Sequence, residues 1–471
     1  MNPGDQRSRA PRRLPASWAP WRRSAPAVIL PSAAATPVGA GWIRIAEARR
    51  SAMESPLTVC QSLGAGPGQR STPQELVGGP MLYDPYSRRM QEDPYPTYQY
   101  FRDEEPCTYN PEIGFYALFR FEDVWNGTLD WQTYSSRLGH DLSNKTESGD
   151  SMSIIGMDPP RHVKLRNLIS RGFTPRRVAA LEDEVRRIVC RYLDSVVGER
   201  DFDIQDRVGN KFPMDVISAL MGLPESIRDT YRQWMDKMLE RDPETGQPPP
   251  EAAEGTQKAR DYLTALVAER RARPREDLIS VLVGAEYEDV DGRTKHLTDE
   301  ELLNFAFLLG GAGAETTQKL LGNAMVYLAR HPDQRQRIWN DPSLISPAIE
   351  EVLRFDAPSQ FQGRVAQRDI SIHGITIPEG ARVALVTGAA CRDERVFDDP
   401  DRFTIDRRPI RQLYFGYGQH VCIGKALARL EARVLLEEVR DRFPSYEVEE
   451  AGLTRTFQAH VRGFKTVPIW V

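Results

Sequence analysis

The longest helical pattern in the chain starts at Thr298 and runs to Arg330, where His331-Pro332 stops it. Thr298-Asp-Glu-Glu301 has the form of a capping box, in which Thr and Glu satisfy each other's orphan backbone donors. The middle of this helix is an apolar run, Phe305–Ala314, and it contains Gly310, Gly311 and Gly313. A glycine inside a helix costs on the order of 1 kcal/mol relative to alanine, so three of them call for a use. Small residues let a flat group lie against the backbone, and a local bulge there would open a carbonyl. A second amphipathic helix begins at Lys425. Its Leu427, Leu430, Val434, Leu435 and Val439 recur at three- and four-residue steps, with Arg429, Glu431, Arg433, Glu437 and Glu438 between them.

Upstream, Asp93-Pro-Tyr-Pro-Thr-Tyr98 opens a helix to about Glu104, and strand-like residues follow at 115–119. The stretch from Ser135 to Ile155 is polar and aperiodic, which predicts a long mobile loop. Met157-Asp-Pro-Pro-Arg-His-Val-Lys-Leu-Arg166 reads as a turn feeding a helix. Residues 176–273 are mainly helical, broken at Gly222-Leu-Pro224 and by a polar loop from Asp242 to Glu251. Ile370–Ile377 alternates around His373-Gly374, and Pro378-Glu-Gly380 turns into Val383-Ala-Leu-Val386, giving strands and a hairpin.

Composition narrows the classes. The 471 residues are 40% hydrophobic and 27% charged with a net charge of -5, so there is no basic excess for nucleic acid. The five cysteines, at 60, 107, 190, 391 and 422, are scattered without a C-x-x-C pair, which fits a reducing compartment, the cytoplasm. No apolar run approaches the roughly 20 residues a membrane span needs. The first 50 residues carry nine Arg, no Lys and two acids. Segment 1–80 lacks periodicity and reads as disordered, or as an extension upstream of a true start at Met53 or Met81.

Candidate chemistry converges on Phe415-Gly-Tyr-Gly-Gln-His-Val-Cys-Ile-Gly424. Three glycines around one cysteine imply a tight loop with close backbone approach to something flat. Cys422 lies just before a helix, where free N–H groups and the helix dipole favour a thiolate able to ligate iron. A lone cysteine is more often a small buried hydrophobe, but here the whole string resembles the haem-thiolate loop of the cytochrome P450 family, F-x-x-G-x-H/R-x-C-x-G. Phe415, Gly418, His420, Cys422 and Gly424 fill its fixed positions.

Four further segments match that family in order. Ala312-Gly-Ala-Glu-Thr-Thr317 resembles its oxygen-activation motif, which implies catalytic roles for Glu315 and Thr316. His162 and Arg166, one helical turn apart, and Arg364 match residues that bind haem propionates. Glu351-Val-Leu-Arg354 with Arg402 of Pro400-Asp-Arg-Phe403 matches a buried structural triad. Cys391 stands where many relatives have Asn.

The resemblance implies a mainly α fold with small β-sheets over 81–471, haem b held between the long helix and the Cys422 loop, and Cys422 as the iron ligand. The 135–155 loop would roof a substrate pocket faced by Leu309, Ala312 and Phe361. It implies a monomeric monooxygenase that hydroxylates a lipophilic small molecule, using O2 and electrons from NAD(P)H through a reductase and a ferredoxin. The rival readings are a peroxygenase or carbon-coupling oxidase on the same site, and a non-catalytic haem sensor.

Overall fold

The structure, a computed structural model, describes residues 81–471 except 138–141, 143–152, 240–248, 289–291 and 459. Segment 1–80 and most of the 135–155 loop therefore lie outside the described residues. Helices dominate, with short strands gathered at their edges.

The long helix forms where predicted, and its capping box is complete: Thr298 Oγ1 accepts from the Glu301 N–H at 3.2 Å, and Glu301 Oε2 accepts from the Thr298 N–H at 2.9 Å. Asp299–Leu308 is α-helical, Leu309–Gly313 is one π-turn, and Ala314–Arg330 continues as α-helix. Gly310 permits that turn to pack, because a Cβ there would stand 2.7 Å from the Tyr231 hydroxyl. From Ala314 to Leu328 nearly every residue is buried, as expected of a helix through the core. Helix Lys425–Arg442 packs against it, against Ile345–Phe355 and against Glu182–Asp194. Its polar positions are not all solvated. Glu431 is buried, its Oε2 has no hydrogen-bond partner, and burial pushes its carboxyl pKa well up.

A five-stranded sheet runs in the order Cys107–Asn110, Phe115–Leu118, Arg382–Leu385, Gln362–Ala366, Tyr134–Ser135. Only Phe115–Leu118 with Arg382–Leu385 is parallel. The hairpin Ile370–Ile372 with Ile375–Ile377 turns through His373 and Gly374, both at positive φ, as a two-residue hairpin requires. Residues 201–203 form a strand that periodicity did not predict. Three residues are too few to show alternation, and the strand exists because it pairs with Pro468–Trp470.

Two buried ionic hubs tie the helices to the loops. Glu351 and Arg354 form a fully buried pair through two bonds of 2.8 Å. The expected third member, Arg402, is exposed and contributes its backbone carbonyl, which accepts from Arg354 at 3.4 Å. The side chain that reaches Glu351 is Arg407, whose Nε lies 3.3 Å from Oε2. Cys391 joins this hub through its carbonyl, an acceptor for Arg354 at 3.1 Å, while burial pushes its thiol up to about 12. The second hub is Asp356, which accepts from Tyr95 (2.7 Å), Tyr327 (2.9 Å), Arg455 (2.9 Å) and Arg462 (2.9 Å). Burial raises its pKa, and Arg462 and Arg455 more than offset that, holding the carboxyl well below the usual range.

Candidate active site

The loop before helix Lys425–Arg442 closes on itself. Cys422 N–H donates to the Phe415 carbonyl at 2.8 Å, and Gly416 N–H donates to that of Leu413 at 2.7 Å. Gly418 has φ +66°, and a Cβ there would meet the Thr128 carbonyl at 2.8 Å, so the loop can approach helix Phe121–Leu129 only with glycine at this point. Gly424 lies beside the sulfur, the position of a Cβ there being 4.0 Å from Cys422 Sγ, an ordinary contact distance. Phe415 lies under the Arg429 guanidinium, 4.7 Å from ring centroid to Cζ.

Burial pushes the Cys422 thiol up, and the Gly424 N–H, Arg166, Lys425 and Arg429 only partly counter it. The Gly424 N–H and the three cations favour the thiolate, as a helix start is expected to, and a bound iron would stabilise it further.

Four cationic or ionisable groups gather beside this loop. Arg166 Nη2, on helix Arg161–Ser170, donates to the Val421 carbonyl. The His162 and His420 rings lie 4.1 Å apart, and Ser136 Oγ is 3.3 Å from His420 Nε2. Arg364, on strand Gln362–Ala366, is buried with Nη1 on the adjacent Gly363 carbonyl. Burial first, and for the two histidines the neighbouring cations as well, lowers their proton affinities. Burial, Arg166 and Arg364 push His162 down to about 4, and burial, Arg364, His162 and Arg166 hold His420 far below its ordinary value. Burial lowers Arg364 to about 10. The acid acting on Arg364, Asp158, is also bonded to the Ser136 N–H at 2.9 Å. His162 Nδ1 is buried without a hydrogen-bond partner.

These features fit haem. Paired basic groups and an orphaned buried nitrogen are what two carboxylates would satisfy. Among the described residues no three His, Cys, Asp or Glu side chains form a metal cage, so a single Cys suits an iron that arrives with its own ring of ligands. His162, Arg166, Arg364 and His420 would hold the carboxylates, and Cys422 the iron.

Glu315 and Thr316 form a second group at the π-turn. Thr316 Oγ1 donates to the Ala312 carbonyl at 2.8 Å, and Thr317 Oγ1 donates to that of Gly313 at 3.2 Å. These hydroxyls take up carbonyls at the helix irregularity, which bears out the expected bulge. Ala312 is exposed although the helix around it is mostly buried, so the helix surface is open at this turn. Glu315 is buried, and its Oε1 accepts from Gln458 Nε2. Leu309 is buried in the main core, and Phe361 packs in a separate apolar cluster with Phe101, Phe115 and Phe119, 2% exposed. Of the three residues expected to face substrate, Ala312 is the exposed one. Sequence reasoning missed Ser136, Asp158, Arg407 and Gln458. Asp158 alone had a signal, its place within the quoted Met157–Arg166 string.

Known proteins with this architecture agree. The family model described as Cytochrome P450 matches residues 128–343 and 340–453. Cytochrome P450 123 of Mycobacterium bovis is 40% identical over 400 residues, 84% of this chain and 98% of its own. Among solved structures, cytochrome P450 CYP109Q5 from Chondromyces apiculatus superposes with TM-score 0.75 at 35% identity, over 82% of this chain and 97% of that one. CYP109E1 from Bacillus megaterium, in complex with testosterone, gives TM-score 0.71 at 31% identity, over 80% and 99%.

Proposed function

The chain belongs to the cytochrome P450 family and is a haem-thiolate monooxygenase; from that premise we propose that it hydroxylates a lipophilic small molecule, with electrons passed from NAD(P)H through a ferredoxin reductase and a ferredoxin. When bound, the haem supplies an iron that activates O2, with Cys422 as its ligand. The chain's own residues supply position and protons. His162, Arg166, Arg364 and His420 orient the ring by its carboxylates, and Phe415 and the loop glycines set how closely backbone approaches it.

Thr316 and Glu315 are the proposed proton-handling pair. With its proton directed to the Ala312 carbonyl, Thr316 Oγ1 keeps its lone pairs for a donor from outside the helix. Glu315, the adjacent acid, carries protons inward. That pairing at the π-turn is the observation on which the monooxygenase mechanism rests. A lipophilic substrate is supported by the steroid held by CYP109E1 at 31% identity and by the apolar run Phe305–Ala314 at the open turn. A monomer in a reducing cytoplasm completes the proposal, supported by the four described cysteines being free thiols. No helix among the described residues is long and apolar enough to cross a membrane.

The test uses the haem-loaded protein with a reconstituted electron supply and a substrate found by spectral screening. General acid catalysis contributes on the order of 100-fold to 10,000-fold. Thr316→Ala is expected to consume NADPH and release peroxide with little product, and Glu315→Gln to slow turnover with a larger solvent isotope effect. Added peroxide restores part of the product. NADPH tightly coupled to product in both variants would reduce the pair to helix packing.

A further inference from the structure

The acid of the proposed proton-handling pair does not stand alone. Its carboxylate is held by Gln458, which belongs to the turn between strands Thr454–Arg455 and Phe464–Thr466. That turn is itself pinned from two sides. The Gln458 N–H donates to Gln91 Oε1 at 3.2 Å, Gln91 Nε2 donates to the Pro85 carbonyl at 2.7 Å, and Arg462 Nη1 donates to the Gln91 carbonyl at 2.5 Å. On the other side, Gln360 N–H donates to the His460 carbonyl at 2.9 Å, and Arg462 N–H to that of Pro358 at 2.8 Å. Four of these bonds reach the turn, one of them at the Gln458 backbone itself, and the free end of the long amide side chain meets a buried acid. Gln458 donates to one carboxylate oxygen, which orients the carboxyl.

Resting on the reading of Glu315 as proton carrier, we propose that Gln458 is its positioning residue, and that the C-terminal turn sets how often that acid is presented for proton transfer. The Gln458 amide is bonded to Glu315, and through it acts on proton transfer. Because Gln91 fastens the turn to helix Arg88–Glu92, the acid's orientation depends on two segments far apart in the chain.

The experiment compares Gln458→Leu, which keeps the volume and removes the donor, with Gln458→Glu, which sets carboxylate against carboxylate, in the haem-loaded protein. A hydrogen bond to a charged group shifts populations about tenfold or more. Product formed per NADPH is therefore expected to fall about tenfold in Gln458→Leu and further in Gln458→Glu, with KM for substrate and haem content unchanged. The second readout needs no turnover. In the resting protein, the infrared carboxylate band assigned to Glu315 by its loss in Glu315→Gln is expected to shift in Gln458→Leu. An unmoved band, or coupling equal to or better than wild type while Glu315→Gln is impaired, overturns the assignment. If Glu315→Gln is itself fully coupled, the proton-carrier reading falls, and the Gln458 contact is then judged by the band alone.

Discussion

Glu351 lies in a closed hub, and the identity of its second cationic partner can be tested by stability alone. The pair Glu351–Arg354 is buried on both sides. Glu351→Gln strands the Arg354 guanidinium without its counter-ion, a loss worth about 3 to 5 kcal/mol for a broken buried pair. Arg407 is 12% exposed at its side chain, and besides Glu351 it donates to the carbonyls of Asp398 (2.7 Å) and Asp399 (3.0 Å). Charge-assisted bonds of this kind contribute about 1.5 to 3 kcal/mol, which is the expected cost of Arg407→Gln. Arg402→Gln changes an exposed side chain whose backbone carbonyl survives, so its cost stays within about 0.5 kcal/mol. For a folded unit of roughly 390 residues, an unfolding entropy of about 2.1 cal/mol/K per residue gives about 0.8 kcal/mol per degree. The apparent Tm of the haem-loaded protein should therefore fall by about 4 to 6 °C in Glu351→Gln, about 2 to 4 °C in Arg407→Gln and under about 1 °C in Arg402→Gln. Scanning calorimetry at matched haem content measures all three. A loss in Arg402→Gln equal to that in Arg407→Gln would show that the Arg402 side chain, not that of Arg407, completes the hub.

Cys422→Ala or Cys422→His is expected to abolish the thiolate-type spectrum of the reduced carbon monoxide complex; its survival in Cys422→Ala would move the ligand to another cysteine. Asp356 has a folded pKa below its unfolded value near 3.9, so its contribution to stability is present above that value and lost as pH falls below it. Between pH 5 and pH 2.5 the apparent Tm of the wild type should accordingly drop more steeply than that of Asp356→Asn, and parallel curves would contradict the depressed pKa. Deleting residues 2–80 is expected to leave haem content and Tm within about 1 °C of wild type, because that sequence offers no periodic apolar face; a large fall in melting temperature would refute it.

What could be read from the sequence was local. The capping box, the glycine-weakened helix and the Cys422 loop all have short spacing rules, and each formed where those rules place it. The failures share a cause: they depend on partners distant in sequence or on solvent exclusion. Arg402 matched a motif, yet a motif does not say whether a residue contributes its side chain or its carbonyl. Arg407, five residues on, carried no spacing signal. Phe361 is apolar, which fits a core as well as a cleft. Nothing around Gln458 marks it as the partner of an acid 143 residues earlier.

The one parallel pairing in the main sheet joins Phe115–Leu118 to Arg382–Leu385, and Arg364 sits on the strand beside it. Closing that contact requires most of the chain to have been synthesised. Contacts of such long sequence separation form late and slowly, since the loop entropy must be met before the pairing rewards it. The strand that presents Arg364, and the C-terminal loop that presents Cys422, are consequently unavailable to a growing N-terminal portion. Cofactor capture is thus a step for the nearly finished polypeptide.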